Sequence, residues 1–409
     1  MKNPTPINRR TFIKSSGAIA TGLALTQPFA IASNTPKRQI RIGMIGCGGR
    51  GNWISDLLLK HGGYQIVAAA DYFQDRLDEY SAKFSVPAGS LFSGLSGYKK
   101  LLELKQVDAV LIESPPFFHP EQAEAAVKAG KHVFLAKPIA VDVPGSLSVG
   151  ESGELARNKG LCFLVDFQTR ANKAYQEAVK LVQDGAIGEF SFNECWYHAG
   201  NPFANRPSTE LLRKDPANPE YRLRAWGLDQ TLSGDIITEQ NIHTLDVTNW
   251  LMQQNPISAF GNCSGKTRDL GDCHDHFSVI YTYENEVDAN FHSRQFQANG
   301  TKPDGIYNRM FGTKGALETK YSGDIILRGK PSFRGDSTGV FASGAEANLE
   351  TFYQDILSGN ASNLTVPESV NSTLLSVLGR EAAYTGKVIT WQGMLRQNKR
   401  LQLDLDLKA

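Results

Sequence analysis

From Gln39 the chain reads Gln-Ile-Arg-Ile-Gly-Met-Ile-Gly-Cys-Gly-Gly-Arg-Gly, an apolar run that passes directly into Gly46-x-Gly48-x-x-Gly51. Ile40, Ile42, Met44 and Ile45 predict a short buried strand, and Trp53, Ile54, Leu57 and Leu58 recur at helical spacing over 52–60. The glycines between them have separate tasks: a tight turn, close backbone approach to a pyrophosphate, and contact between helix and strand. The helix N-terminus then presents unpaired N–H groups to the phosphates. A second strand, 66–70, runs into Asp71, 25 positions after Gly46. A carboxylate there accepts hydrogen bonds from the adenosine ribose and repels a 2′-phosphate, which favours NAD over NADP. Asp71 as the N-cap of a following helix is the alternative.

Further strand and helix units follow. Residues 107–112 predict a strand that runs into Glu113-Ser114-Pro115-Pro116, and a helix over 121–129 closes at Gly130, a C′ glycine. The strand 132–135 leads into Ala136-Lys137-Pro138, and 161–165 reads as the last of the series. This alternation predicts an α/β fold, a doubly wound parallel sheet of Rossmann type with ligands at the strand C-termini. Asp71, Ser114 and Lys137 all fall at that edge. A length of 409 residues favours a second domain. The expected boundaries are 39–166 for the nucleotide domain and 167–409 for a C-terminal α+β domain. A strand over 190–198 and alternating stretches at 276–283 and 287–296 predict an open, mainly antiparallel sheet in that second domain. Helices are expected near 345–357 and 368–385.

Residues 1–32 read as a targeting segment. Arg9-Arg10 precede a modest apolar run from Gly17 to Leu25, then Ala30-Ile31-Ala32 offers a cleavage site. The run is shorter than the roughly 20 apolar residues that span a bilayer. The order of the three parts resembles a bacterial Tat signal, which predicts a periplasmic or otherwise extracytoplasmic protein with no membrane span after cleavage. Tat exports folded proteins, and the periplasm is not expected to hold free nicotinamide. A dinucleotide enzyme there is expected to keep its cofactor bound and recycle it. The net charge of +1 gives no reason to expect nucleic acid or an anionic membrane as a partner. Of five scattered cysteines, only Cys263 and Cys273 invite pairing, with two free thiols as the alternative.

Gly46-Cys47-Gly48-Gly49-Arg50-Gly51, Ser114-Pro-Pro-Phe-Phe-His119, Ala129-Gly-Lys-His-Val133 and Lys137-Pro138 together resemble the glucose-fructose oxidoreductase / inositol dehydrogenase / rhizopine catabolism (Gfo/Idh/MocA) family. The second half adds Glu239-x-x-x-His243-x-x-Asp246 and Gly312-Thr-Lys-Gly315. The resemblance implies cofactor contacts at Gly46, Cys47, Gly48, Arg50, Gly51, Asp71, Ser114, His119 and Lys137. It also implies that Lys137 approaches the nicotinamide and the reacting hydroxyl, and that the open sheet pairs subunits into a homodimer or homotetramer. Two positions depart from the pattern. The usual Glu-Lys-Pro is Ala136-Lys137-Pro138, and the usual aspartate four residues before the histidine is Glu239.

A helix over 236–252 would place Glu239, His243 and Asp246 on one face of a well-buried segment. His243 is read as the general base and Glu239 as the group that orients it or grips a neighbouring hydroxyl. Asp246 is read as structural. A metal shared by Glu239 and His243 with His198, or with His274 and His276, is the alternative chemistry; no metal is favoured. Arg222, Arg224 and Trp226, in a stretch without clear period, could face a polyol or a second subunit. The leading functional expectation is NAD-dependent oxidation of a CH–OH group in a sugar, glycoside or polyol. The alternatives are a redox-neutral NAD-dependent glycoside hydrolase or lyase acting through transient C3 oxidation, and a non-catalytic sugar- or dinucleotide-binding protein.

Overall fold

A computed structural model describes residues 38–284, 286–363 and 365–407. The leader read over 1–32 lies outside these residues. Six strands, β1 (Ile40–Ile45), β2 (Tyr64–Asp71), β3 (Leu91–Ser93), β4 (Ala109–Ile112), β5 (His132–Ala136) and β6 (Phe163–Asp166), form a parallel sheet in the order β3-β2-β1-β4-β5-β6. The order reverses between β1 and β4, and such a switch point opens a crevice at the strand C-termini. The central strands are apolar without alternation because helices cover both faces. Ile42, Met44 and Leu111 pack against Ile54 and Leu58 of helix Gly49–His61, whereas Val110, Val133 and Leu135 pack against Ala123, Ala126 and Val149. Helix Val340–Ser358 returns from far along the chain to place Ala345, Leu349 and Phe352 on the first face.

The second sheet contains β7 (Phe190–Ala199), β8 (Ser258–Ser264), β9 (His276–Thr282), β10 (Asp288–Gln295), β11 (Gly305–Gly312), β12 (Gly315–Lys320), β13 (Asp324–Arg328), β14 (Phe333–Asp336) and β15 (Ile389–Thr390). Their order is β14-β13-β12-β11-β7-β10-β9-β8-β15, antiparallel throughout except for the β7–β10 pair. Helices 173–183, 242–252 and 365–385 supply core residues against one face. The other face leaves Phe260 and Ile280 exposed.

A charge cluster centred on buried Asp246 ties together segments of the second half. Arg170, just after β6, makes a bidentate contact with Asp246 at 2.9 Å and reaches Glu368 at 2.7 Å, and Ser372 donates to Asp246 at 2.7 Å. Asp246 is therefore structural, as its sequence position suggested. Cys263 and Cys273 are both free thiols, so the pairing considered above is not formed. Among the described residues no helix is long and apolar enough to cross a membrane.

The helix expected over 236–252 is two helices, Asp235–Glu239 and Ile242–Met252. The Ile236 carbonyl accepts from the N–H groups of both Gln240 (3.0 Å) and Asn241 (2.8 Å), which widens the turn by one residue. His243 N–H consequently turns to the Gln240 carbonyl at 3.3 Å, and the Glu239 carbonyl is released from the helix.

Candidate active site

A cleft of about 640 Å³ opens along the C-terminal edge of the parallel sheet, lined by Gly46, Gly48, Asp71, Glu113 and Ser114. At its nucleotide end the loop after β1 is built for close backbone approach. Gly46 has φ of +95°, and a Cβ there would lie 2.7 Å from the Glu113 backbone. A Cβ on Gly51 would lie 2.0 Å from the Gly46 carbonyl oxygen. Gly51→Ala is therefore expected to cost about 3 kcal/mol in denaturant unfolding and to abolish dinucleotide retention, because the loop cannot close over its helix.

Asp71 fixes this loop to the next turn. Its Oδ2 accepts from Cys47 N–H at 2.7 Å and its Oδ1 from Phe73 N–H at 2.9 Å. The helix that follows has no side-chain cap, so the N-cap reading of Asp71 does not hold. Cys47 contributes through its backbone, since its thiol is buried against the Ala70 carbonyl. Ser114 Oγ donates to Gln122 at 2.5 Å beside the cleft. His119 is buried with its ring nitrogens each 2.8 Å from a carbonyl, of Pro138 and of Ser114. Burial lowers its pKa to about 4. In this position it ties the turn after β4 to the segment after β5.

Glu113, which lines the cleft, belongs to a buried charge cluster whose other members stand behind that lining. Arg50 pairs with Asp166 at the end of β6 and lies 3.5 Å from Glu113 at the end of β4. Lys137 Nζ donates to the freed Glu239 carbonyl at 2.5 Å and stands 3.6 Å from the Glu239 carboxylate. Burial lowers the ammonium's pKa, and Glu239 opposes that shift. His243 is buried, 5.3 Å from the ring of Tyr321 and 6.5 Å from that of Phe167. Its Nδ1 has no hydrogen-bond partner among the described residues. Burial, then the Lys137 and Arg50 charges, hold its pKa well below the ordinary value of 6.5, so the ring is neutral at physiological pH.

One expected pairing is corrected by this geometry. Glu239 does not orient His243; the widened turn directs its carboxylate and carbonyl to Lys137. His274 and His276 also go elsewhere, to Asp235 at 2.8 Å and to Asp275 at 2.7 Å. Among the described residues no group of three His, Cys, Asp or Glu side chains could hold a metal ion. Arg224 lines the nucleotide cleft, whereas Arg222 does not. Arg222 pairs with Asp229 at 2.6 Å, and Arg224 pairs with Asp75 at 2.7 Å with its guanidinium 3.8 Å from the Phe73 ring centre.

Residues 40–167 match the model of an oxidoreductase family, GFO_IDH_MocA, with an NAD-binding Rossmann fold, and 175–318 match the GFO/IDH/MocA C-terminal domain. The chain belongs to the Gfo/Idh/MocA family. An inositol 2-dehydrogenase of Saccharopolyspora erythraea is 30% identical over 221 residues, 54% of this chain and 56% of that one. A glycosyl hydrolase family 109 protein of Shewanella sp. is 27% identical over 216 residues, 47% of this chain and 46% of that one. The chain thus spans about half the length of the curated relatives it matches. Among solved structures, scyllo-inositol dehydrogenase of Lactobacillus casei with bound NAD(H) and scyllo-inositol has a TM-score of 0.67 at 20% identity, covering 87% of this chain and 99% of that one. Aldose-aldose oxidoreductase of Caulobacter crescentus gives 0.67 at 19%, covering 86% and 100%. At these identities the likeness is one of fold.

The Gfo/Idh/MocA chain fits NAD on its own geometry. The glycine cradle has no room for Cβ atoms at Gly46 or Gly51, and Asp71 lines the cleft. Several residues went unremarked in the sequence: Glu113, Asp166, Gln168, Asn241 and Tyr321. Glu113 and Asp166 end strands of the parallel sheet, so the strand-end rule that selected Asp71 and Lys137 also reaches them. Asn241 and Tyr321 carried no comparable signal, because the widened turn and the second sheet bring them in.

Proposed function

We propose that this protein is an NAD-dependent oxidoreductase that removes hydride from a secondary alcohol of a sugar, glycoside or polyol. The observation that carries the reading is the Lys137–Glu239 pair together with neutral His243, whose electrostatic neighbours are Lys137 and Arg50. Buried polar atoms of Gln168, Asn241, His243 and Tyr321 have no partner among the described residues. Unpaired buried polar groups are costly, and a polyhydroxylated substrate supplies the missing donors and acceptors. Bound NAD supplies a hydride acceptor. His243 takes the hydroxyl proton, and the Lys137 ammonium stabilises the developing alkoxide. Glu239 holds that ammonium in place.

The cofactor is held tightly and recycled in place. Segments of the second domain support this: Phe203, Arg206, Arg224, Trp226 and Leu407 line the same cleft as Asp71. Arg224→Ala removes the Asp75 pair and the stack on Phe73, and is expected to speed cofactor release about tenfold. Loss of bound NADH fluorescence on chasing with excess NAD measures it. The exposed Phe260 and Ile280 on the uncovered sheet face support a homo-oligomer. Export belongs to the same proposal and rests on the twin-arginine leader; Lys in place of Arg9 and Arg10 is expected to retain the precursor inside the cell, as fractionation would show.

A redox-neutral glycoside cleavage is the second reading, favoured by the family 109 relatives. The two are separated by purifying the protein without added cofactor and presenting free sugars and glycosides. Lasting NADH absorbance with a free sugar supports the oxidoreductase. Cleavage of a glycoside with no net change in the bound cofactor supports the hydrolase and overturns the first reading.

A further inference from the structure

Leu111, Phe134 and Leu164 share one face of the parallel sheet, packed with Ile54 and Leu58 of helix Gly49–His61. Side chains repeat every second residue along a strand, so Glu113, Ala136 and Asp166 continue that face at the strand ends. The register agrees: Ile112 stands opposite Leu135, and Ala136 opposite Asp166. Position 136, where the family pattern has glutamate, therefore lies as alanine between two carboxylates. Arg50 reaches across it to both of them, with its guanidinium 4.4 Å from the Trp53 ring centre and 5.3 Å from that of Phe341.

Asp166 is well provided for, accepting from Gln168 at 2.9 Å and from Asn348 at 2.8 Å. Glu113 is not. Its side chain is fully buried, and neither carboxylate oxygen has a hydrogen-bond partner among the described residues. No step of the mechanism above uses it. A buried carboxylate kept without hydrogen bonds costs stability, and its place one strand from Lys137 suggests what that cost serves.

We infer that Glu113 is a charge-setting positioning residue of the dinucleotide site, a carboxylate moved one strand over from position 136, which clamps Arg50 with Asp166 and sets the balance between bound NAD+ and NADH. The inference rests on the dinucleotide reading of the cleft. The oxidised nicotinamide carries one more positive charge than the reduced one, so an anion at Glu113 favours NAD+, while a neutral group there removes that bias. The charged groups facing Glu113 are Arg50 from the first helix, Lys137 after β5 and Asp166 of β6; Tyr80, from helix Gln74–Phe84, is the neutral titratable neighbour. Burial, against the pull of Arg50, raises the Glu113 carboxyl to about 7. The bias is accordingly switched on as pH rises through neutrality. For a protein whose cofactor stays bound and must both take and return hydride, that balance is a working property.

The test uses the NAD-loaded full chain, poised with a series of redox dyes, with bound NADH read by near-ultraviolet absorbance. At about pH 8, Glu113→Gln is expected to hold about tenfold more NADH per NAD+ than the parent at the same potential. At about pH 6 the two should coincide within about twofold, and Glu113→Asp, which keeps the charge, should follow the parent at both. In the unmodified protein the same ratio, plotted against pH, should bend near neutrality beyond the slope of free nicotinamide. A Gln variant that tracks the parent at both pH values, or a parent plot without the bend, overturns the role of Glu113. A protein that neither carries nor takes up nicotinamide overturns the dinucleotide reading itself, and this inference with it.

Discussion

Replacing Lys137 by methionine is expected to lower kcat by about a thousandfold or more, with NAD still bound and the fold intact. Methionine keeps the length and apolar stem of lysine but carries no charge into a site where burial already disfavours the ammonium. The Glu239 carbonyl and carboxylate lose their donor, but the helix break that positions them is held by backbone hydrogen bonds from Gln240 and Asn241. Structure is therefore largely spared while alkoxide stabilisation is lost. Arginine should not rescue activity: its planar fork cannot replace a compact ammonium at 2.5 Å from a carbonyl, and it does not release its proton. Stopped-flow absorbance of the bound cofactor separates the lost chemical step from any change in binding.

His243→Ala is expected to lower kcat by about 10² to 10⁴, with little change in cofactor retention. The pH profile carries more information than the magnitude. In the proposed mechanism His243 acts as a base in its neutral form, and its pKa is depressed below 6.5. The acid limb of kcat/KM should therefore lie below pH 6.5, with no loss of activity as pH falls from 8 to that value. The alkaline limb should appear below 10.5, where Lys137 loses its proton from a depressed pKa. The alanine variant should lose the acid limb and keep the alkaline one. An acid limb that persists unchanged in the variant would assign proton removal to another group.

The nucleotide half was largely legible because its signals are local. The strand before Gly46, the helical spacing after it and the carboxylate at Asp71 all appear in the observed sheet where the spacing placed them. Only β3, three residues long, was too short to show a period. In the second half the sequence singled out residues but not their contacts. Glu239 and His243 were singled out, yet their expected partnership assumed a continuous helix. The break at Gln240–Asn241 is not a proline or glycine event, so nothing in local sequence marks it. Its consequence, a carbonyl delivered to Lys137 from 102 residues away, is a tertiary fact. Arg224 was read as facing substrate or subunit for the same reason: a helix without apolar period gives no direction, and only the fold places it on Phe73.

The central claim is that hydride moves between a sugar carbinol carbon and a nicotinamide held by this chain. It is tested most directly by mixing the purified, NAD-loaded protein with a panel of polyols, sugars and glycosides carrying deuterium on their carbinol carbons, then analysing the extracted cofactor by mass spectrometry. With the reaction quenched during turnover, before returned hydride can carry the label back to the substrate, deuterium on the cofactor, absent from the Lys137→Met variant, is the predicted result, whether or not the substrate is finally left oxidised. A cofactor that stays unlabelled while a member of the panel is converted would contradict it.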